Sequence, residues 1–335
     1  MTAFTEDELI DALRTILADD APGVRLGPGD DGALVDSDSG FEILTADVLI
    51  EGVHFDRALI SPRDLGYKAL TVNVSDVAAM GGRPKYGLVS LGISASVEMP
   101  WVMDLYAGLR DAAVRYGASV VGGDLSRSDA VVISVFLTGE VAKNRAVTRA
   151  GARPGDRVVV TGQLGGAAGG FLLGRATASE GTGLPDGEWA RALLAAHARP
   201  VARVDEGEAL AAAGASAMMD LSDGLAKDLR RLCRESEVGV RIDLPSVPVA
   251  PGLAELQTAL KVDPIELALG GGEDYELLAT LAPEVVGRAA ARLDERFGTD
   301  LTDIGEITQE RETIAVEAGG TERTLESKGW DHFAA

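Results

Sequence analysis

A short apolar run that ends in glycine and aspartate is the feature that most constrains the fold of this chain. Residues Ala118 to Val121 are apolar, and Gly122, Gly123 and Asp124 follow directly. The pattern predicts a buried strand that presents bare backbone and one negative charge at its carboxyl end. Because a carboxylate buried alone is costly, Asp124 would need a cation or a hydrogen-bond donor.

Other aspartates also stand where apolar elements meet turns or polar faces. Asp47 interrupts one face of the predicted strand Phe41 to Ile50, and Asp76 lies on the apolar stripe of the predicted helix Ser61 to Ala79. The other members of this set are Asp30, Asp31, Asp220 and Asp223. Many carboxylates, without a cysteine cluster or a histidine pair, indicate hard cations with oxygen ligands, and Mg²⁺ first. The sequence therefore predicts several divalent metals and a polyphosphate.

Length and charge bound the class of protein. The 335 residues suffice for about two domains, and 46% of them are hydrophobic. The formal net charge of -22 argues against binding to nucleic acid or to an anionic membrane, although solubility alone would also account for much of the acidity. The single Cys233 allows no intramolecular disulfide, and no apolar run reaches about 18 residues. Without a signal-peptide pattern either, a cytoplasmic location is expected.

The order of predicted elements indicates an α+β first half. In the first half, strands and helices alternate in a way that predicts a mixed sheet with helices on one face. Such a sheet leaves its other face for a partner, so a homodimer is expected. Glycine and proline between Arg149 and Asp156 mark the boundary between an N-terminal domain, 1–148, and a C-terminal domain, 149–335.

Two glycine-rich stretches in the second half have different interpretations. Gly165 to Gly170 follows the predicted strand Arg157 to Gly162, but its spacing fits neither a dinucleotide fingerprint nor a P-loop. Close packing of small residues is favoured there over a phosphate loop. Gly270 to Gly272 precede two acidic residues and a strand, and three glycines favour a ligand loop because they are costly in an ordinary turn. Residues Thr177 to Gly187 are expected to form an exposed loop.

Three predicted site residues have ordinary structural explanations as well. Ser222 and Asp223 stand where the helix after Asp220 begins, and both are favoured N-cap residues, although a helix N-terminus also attracts phosphate. His54 follows the predicted strand and, as a lone loop histidine, is more often structural than functional. None of the three therefore identifies a site by itself.

The ordered set of motifs resembles the thiamine-monophosphate kinase family of the aminoimidazole ribonucleotide synthetase superfamily. Single motifs of the set are weak, but their order along the chain from about residue 5 to its end is specific. They are Gly29-Asp30-Asp31, Thr45-Ala46-Asp47, Val53-His54-Phe55, Tyr67-Lys68-Ala69-Leu70, Asn73-Val74-Ser75-Asp76, Gly122-Gly123-Asp124, Asp220-Leu221-Ser222-Asp223-Gly224, Gly271-Gly272-Glu273-Asp274-Tyr275-Glu276 and Lys328-Gly329-Trp330-Asp331-His332-Phe333.

The resemblance implies a direct in-line phosphoryl transfer from ATP to thiamine monophosphate with several Mg²⁺ ions. The acceptor is a phosphate oxygen that is already largely ionised at neutral pH, because the second pKa of such a phosphate is about 6. No residue is therefore expected to act as a general base. The remaining obstacle is to bring two polyanions together, which metals and positioning can overcome.

The resemblance also implies roles for individual residues. The implied metal ligands are Asp31, Thr45, Ala46, Asp47, Asp76, Asp124, Asp220 and Asp223. Relatives often carry threonine at the position of Ala46, so only its backbone carbonyl could serve. The implied ATP contacts are Gly123, Asp124, Arg149 and Ser222, and the implied contacts to thiamine monophosphate are His54, Glu273 and Trp330. Asp30 belongs to the motif without a defined role. The implied fold has an N-terminal α+β domain that pairs across a dimer and a C-terminal α/β domain that covers the site.

Two classes of alternative function are weighed against this one. Selenophosphate synthetase is expected to carry a reactive cysteine near its N-terminus, and the hydrogenase-maturation dehydratase is expected to end in cysteine. This chain has no cysteine before Cys233 and ends in Phe333-Ala334-Ala335. A non-catalytic acidic protein that binds metal or nucleotide is the more distant alternative, which turnover would exclude.

Overall fold

The structure is a computed structural model that describes residues 5–17, 22–180, 187–326 and 329–330. Of the terminal motif, Gly329 and Trp330 are described, while Lys328 and Asp331 to Phe333 lie outside the described residues. Within those ranges, no helix is both long enough and apolar enough to cross a membrane.

The N-terminal half forms one mixed sheet with two helices packed on one face, as predicted. Its six strands have the order β1-β2-β3-β6-β4-β5, and only β4 and β5 pair in parallel. The elements are α1 (Glu6–Arg14), β1 (Val24–Leu26), β2 (Ala33–Asp36), β3 (Phe41–Ile50), α2 (Pro62–Ala79), β4 (Arg83–Ile93), α3 (Met99–Tyr116), β5 (Ser119–Arg127) and β6 (Val132–Val141).

Helix α2 is the central element of this half. It begins where the sequence predicts, because the Ser61 side chain accepts a hydrogen bond from the Asp64 backbone N–H and Pro62 occupies the first turn. Most of its residues are buried between the sheet, α3 and the C-terminal domain. A Cβ on Gly66 would lie 1.9 Å from the Leu105 carbonyl oxygen, so glycine is required where α2 crosses α3.

The alternation along β3 separates a covered face from an open face of the sheet. Ile43 and Leu49 are buried against the helices, and Thr45 and Asp47 share their face. Leu44, Ala46 and Val48 are exposed on the other face. The carboxylate of Asp47 therefore points to the side where α2 carries Asp76.

The C-terminal half has a seven-stranded sheet with the order β13-β12-β9-β11-β7-β10-β8. Its elements are β7 (Arg157–Thr161), α4 (Gly166–Glu180), α5 (Glu188–Ala198), α6 (Val204–Ala213), β8 (Ala217–Asp220), α7 (Leu225–Ser236), β9 (Gly239–Asp243), a 3-10 turn (Leu244–Ser246), α8 (Leu253–Leu260), α9 (Pro264–Gly270), β10 (Leu277–Leu281), α10 (Pro283–Phe297), β11 (Leu301–Thr308), β12 (Thr313–Val316) and β13 (Glu322–Thr324). Because β7 and β8 both run antiparallel to β10, their carboxyl ends meet at one edge, where Asp220 lies.

Two predictions of local structure were wrong. The run from Ala118 does not end as a buried strand at Val121, because β5 continues through Gly122, Gly123 and Asp124 to Arg127 as an exposed edge strand. Backbone hydrogen bonds to β4 hold this stretch in the extended conformation, which glycine residues by themselves disfavour. Residues Thr177 to Glu180 are helical rather than loop, because α4 extends to Glu180.

The stretch Gly165 to Gly170 packs closely, as favoured from the sequence. A Cβ on Gly170 would lie 2.0 Å from the Leu193 carbonyl oxygen, which only glycine permits. At the start of α4, the Asp274 carboxylate accepts hydrogen bonds from the backbone N–H groups of Gly165, at 2.6 Å, and Ala167, at 3.1 Å. A carboxylate of the chain itself thus occupies the position where a phosphate loop would bind its ligand.

Candidate functional site

Three aspartates from distant parts of the sequence meet between the two domains. Asp31 precedes β2, Asp76 lies in α2 and Asp220 ends β8, and one carboxylate oxygen of each lies within 4.8 Å of the others. Asp31 and Asp220 are buried. The predicted grouping of these three aspartates is therefore present in the structure.

Asp47 and Thr45 of β3 adjoin this cluster. The carboxyl groups of Asp47 and Asp76 are within hydrogen-bonding reach, and the Thr45 hydroxyl donates to Asp76 Oδ2. On the other side, the Ser75 hydroxyl donates to Asp220 Oδ2 at 2.5 Å. Hydroxyl groups orient these carboxylates, but they do not neutralise them.

Arg149, in the connection between the domains, is the cation nearest to the adjacent aspartates. Its guanidinium donates to Asp31 Oδ1, and its backbone N–H donates to Asp30 Oδ2 at 3.0 Å. Asp30 also accepts from the Asp31 backbone N–H at 3.0 Å, so its side chain braces the loop. Asp31 Oδ2 is buried and has no hydrogen-bond partner among the described residues.

Burial and mutual repulsion disfavour the ionised carboxylates of the cluster. Burial raises the pKa of Asp76 well above its usual range, and the charges of Asp47 and Asp220 raise it further. Burial, followed by the charge of Asp31, has the same effect on the pKa of Asp220. Burial also raises the pKa of Asp47. A divalent cation placed among them would reverse this cost.

These donors fit Mg²⁺. They offer only carboxylate and hydroxyl oxygens, which hard cations prefer, and one buried oxygen lacks a partner. The three aspartates of the cluster, with Asp47 beside them, could hold such ions without a rearrangement of the helices and strands that carry them.

Asp223 lies near this cluster, but its side chain is engaged by two cations. Arg231 Nη1 contacts Asp223 Oδ2 at 2.6 Å, and Lys227 Nζ contacts the same oxygen at 3.0 Å. The same two cations also bind Glu6 of α1. As a metal ligand, Asp223 would have to exchange these cations for the metal.

Ser222 and Trp330 lie on either side of Asp223. The Ser222 carbonyl accepts from the Glu273 backbone N–H at 2.8 Å, and the Asp223 carbonyl accepts from the Trp330 backbone N–H at 3.1 Å. The Lys227 ammonium donates to the Trp330 carbonyl. Trp330 is 49% exposed.

Glu273 belongs to a loop that packs against the loop after β8. Its backbone has φ +63°, and Gly272 before it has φ +65°, a conformation that suits glycine there. Lys68 Nζ lies 2.7 Å from Glu273 Oε1, and His197 Nδ1 lies 3.4 Å from Oε2. Despite burial, the charge of Lys68 and the contact with His197 lower the pKa of Glu273 to about 2. Glu273 is therefore ionised.

His54 is half-buried at the end of β3. Its Nδ1 accepts a hydrogen bond from the Ile50 backbone N–H at 3.0 Å. This bond fixes the ring as part of the turn after β3, which is the structural role that a lone loop histidine usually has.

Gly123, Asp124 and the Ala46 side chain are not brought into the cluster within one copy of the chain. Ladder register places Asp124 in the row of Ser90, Ser134 and Val48, on the open face. Three strand spacings of about 4.8 Å separate β5 from β3, or about 14 Å. Gly123 is required by the sheet itself, because a Cβ there would lie 1.8 Å from the Val89 carbonyl oxygen.

Several residues that contact the predicted site received no role from the sequence. They are Lys68, Ser75, His197, Lys227, Asp228 and Arg231. Lys68 had a usable signal, because it lies three residues after Leu65 and four before Val72 on the same buried stripe of α2. The contacts of Ser75 and His197 join positions far apart in sequence, which no local pattern reports. Lys227, Asp228 and Arg231 instead contact Asp223 from four to eight residues further along the chain.

Cavities give a further indication of where ligands fit. One of about 450 Å³ lies beside the edge that carries Asp220 and is lined by Asp274, Glu276 and Arg203. A larger one, of about 650 Å³, lies between β6 and helices α6 and α10, with no member of the carboxylate cluster in its lining. The carboxylate cluster is a stronger indication of a binding site than cavity size. Burying carboxylates without a cation is costly, whereas an open cleft carries no such cost.

Comparison with known proteins gives matches to two family models, to curated relatives and to a solved structure. Residues 29–141 match the model of the AIR synthase related protein, N-terminal domain, and residues 153–317 match that of the C-terminal domain. The thiamine-monophosphate kinase of Aquifex aeolicus (strain VF5) is 40% identical over 307 residues, which cover 91% of this chain and 92% of that protein. That of Bacillus subtilis (strain 168) is 35% identical over 317 residues, covering 92% and 94%. A solved structure of AaThiL complexed with AMPPCP and TMP has a TM-score of 0.85 and 37% identity, covering 98% of this chain and 97% of that one.

Proposed function

Because this chain belongs to the thiamine-monophosphate kinase family of AIR synthase related proteins, we propose that it phosphorylates thiamine monophosphate with ATP to give ADP and thiamine diphosphate. The observation that carries the proposal is the cluster of Asp31, Asp76 and Asp220 between the domains, in which Asp31 and Asp220 are buried. A site of this kind suits two phosphate-bearing ligands that must approach each other with cations between them.

The chemistry asks the protein for positioning rather than for a base. The acceptor phosphate is largely ionised at neutral pH, since its second pKa is about 6. Asp31, Asp76 and Asp220, with Asp47, would hold Mg²⁺, which neutralises phosphate charge during an in-line transfer when it is bound. Thr45 and Ser75 keep two of these carboxylates in place through their hydroxyl groups.

Arg149 is the proposed contact to the phosphates of ATP. Its guanidinium is buried beside Asp31, and its position in the connection between domains puts it next to the cluster. Arginine suits this role because its planar group binds phosphate oxygens in pairs. Ser222 would contact ATP as well, while His54, Glu273 and Trp330 would contact thiamine monophosphate.

The open face of the N-terminal sheet supports a homodimer. Three neighbouring strands expose the large apolar side chains Leu44, Val48, Tyr86, Leu88 and Phe136, each at least 40% exposed. A contiguous apolar patch of this kind is rare on a protein that stays monomeric. Asp124 lies on the same face. If two copies pack through these faces, the Asp124 of each copy points toward the other copy rather than into solvent.

A dimer of this kind explains how Gly123 and Asp124 could have the proposed roles. Within one copy they are about 14 Å from Asp47, which no single Mg²⁺ spans. We therefore assign them to a site completed by the partner subunit. The same proposal includes the division into domains 1–148 and 149–335 and a role for the Ala46 carbonyl.

Phosphorus NMR of the protein with ATP, Mg²⁺ and thiamine monophosphate tests the function directly. The expected result is a new pair of diphosphate doublets from thiamine diphosphate, with ADP in equal amount. ADP with free phosphate and no new ester would instead indicate another ATP-using member of the superfamily. Binding of both ligands without any ADP would support a non-catalytic nucleotide-binding protein and contradict the proposal.

A further inference from the structure

Lys68 is a buried cation that joins the two domains. Its side chain is 1% exposed in α2 of the N-terminal domain, and its ammonium lies 2.7 Å from Glu273 Oε1 of the C-terminal domain. Among the described residues, Nζ has no partner of good hydrogen-bond geometry, so its contact with Glu273 is an ion pair. Such a charge is costly to bury, so its retention at this point needs a reason beyond packing.

Glu273 is held from two directions while part of it stays open. Lys68 contacts Oε1, and His197 of α5 lies 3.4 Å from Oε2. The His197 ring is itself buried and packs against Phe171, with ring centroids 5.5 Å apart. Yet the Glu273 side chain keeps 31% of its surface exposed. An ionised carboxylate that is fixed on its inner side and open on its outer side is suited to bind a cation or an N–H donor.

We propose that Lys68 and His197 are positioning residues, which orient Glu273 toward the cationic, nitrogen-rich part of thiamine monophosphate. This inference rests on the proposed function and assigns to it the groups that recognise the organic end of the substrate. The Lys68 ammonium is itself enclosed by protein atoms, so it acts through Glu273 and does not touch the ligand. Substrates without a cationic ring would lose this interaction.

Steady-state kinetics of Lys68→Met test the proposal, because methionine keeps most of the side-chain volume without the charge. We expect the KM for thiamine monophosphate to rise about tenfold or more, the effect of losing a charge-assisted contact. The KM for ATP and kcat at saturation should change less than about threefold. Lys143→Met, at an exposed lysine with 61% of its side chain accessible, is the matched control and should behave as wild type.

A double-mutant cycle separates positioning from general damage to the fold. If Lys68 acts through Glu273, Lys68→Met combined with Glu273→Gln should raise the KM for thiamine monophosphate no further than Glu273→Gln alone. The double variant should also melt at a higher temperature than Glu273→Gln, which leaves the lysine charge buried without a partner. His197→Asn should act in the same direction as Lys68→Met but less strongly, since its contact is longer.

Three results would overturn the inference. One is a KM for thiamine monophosphate within twofold of wild type in Lys68→Met, and another is multiplicative effects of the two substitutions in the cycle. The third is a parallel rise in both KM values, as expected of structural damage. Failure of the function itself is distinguishable, because wild-type protein would then form no thiamine diphosphate. Calorimetric titration with thiamine monophosphate would still compare its binding to wild type and Lys68→Met.

Discussion

Asp220 is buried and Asp76 is half-buried, and hydroxyl groups donate side-chain hydrogen bonds to both carboxylates. Thr45 and Ser75 each donate one hydrogen bond to them, which orients a carboxylate but supplies no positive charge. The repulsion between neighbouring carboxylates therefore remains in the metal-free protein and makes this cluster a locally destabilising feature. Function and stability oppose each other at these residues, as is common for binding sites.

Asp76→Asn is expected to separate the two effects. Without Mg²⁺ at pH 7.5 the variant should melt at a higher temperature than wild type, because one charge leaves the cluster. Added MgCl₂ should raise the melting temperature of wild type much more than that of the variant, and turnover should fall at least about a thousandfold. Thermal melts with and without MgCl₂, with exposed Asp38→Asn as control, measure this; equal metal-induced shifts would contradict the metal site.

Asp274 gives a pH dependence of stability. Burial raises its pKa from 3.8 to about 7, so the folded chain holds a proton that the unfolded chain releases between those values. The free energy of unfolding should therefore fall as pH rises from about 4 to about 7. Asp274→Asn lacks this contribution, so the variant should lose less stability than wild type between pH 5 and pH 7.5. Urea unfolding without metal at both pH values tests this, and equal losses in both proteins would refute it.

Helix α2 shows how one element serves several parts of the site. It presents Asp76 and Ser75 to the cluster and Lys68 to the loop of Glu273, while α3 presses on its other side. The crossing of α2 and α3 is close because Gly66 and Gly108 place backbone against backbone. Side chains that must meet within a few tenths of an ångström thus depend on two glycines that touch no ligand.

A matched pair of glycine substitutions tests that dependence. Gly66→Ala should destabilise the protein by about 2 to 3 kcal/mol, because its Cβ would meet the Leu105 carbonyl oxygen at 1.9 Å. Gly287→Ala, within α10, meets no atom within 4 Å and should stabilise by about 0.5 to 1 kcal/mol. Thermal or urea unfolding of both variants measures the change in stability, which should be negative for Gly66→Ala and positive for Gly287→Ala. A neutral Gly66→Ala would mean that α2 and α3 can move apart freely.

Elements with strong local signals were predicted well from the sequence. The bounds of β3 are those expected, and α2 starts after Ser61, because alternation and capping act over a few residues. Strand β5 was predicted too short and buried, since its order depends on parallel pairing with β4, which no local pattern reports. The convergence of Asp31, Asp76 and Asp220 followed from the ordered motifs, whereas the cations around Glu273 come from tertiary contacts alone. Lys227 lies four residues after Asp223, a spacing that the local sequence could have indicated.

At the scale of the whole molecule, the two domains and a second copy each supply part of the proposed site. Asp31 and Asp76 come from the N-terminal domain, and Asp220 comes from the C-terminal domain. Asp124 faces away from them, toward the apolar open face of the sheet. The proposed dimer is thus part of the site and not an accessory to it.

Mixing two inactive variants tests this arrangement. Asp124→Ala and Asp76→Asn should each abolish turnover while the chain remains folded. If each site takes Asp76 from one subunit and Asp124 from the other, random mixing should restore about a quarter of wild-type activity. The variants should be mixed after co-expression or refolding, with each variant alone as control. Activity that stays at the level of the separate variants would place both aspartates in one subunit's site.

The exposed apolar face of the N-terminal sheet links catalytic output to the amount of protein present. When a site forms only after two chains meet, dilution below the dissociation constant leaves each chain with half a site. Activity would then rise with about the square of the protein concentration while single chains predominate, and in simple proportion once pairs predominate. A cell that lowers the synthesis of this protein would lose output faster than it loses the protein.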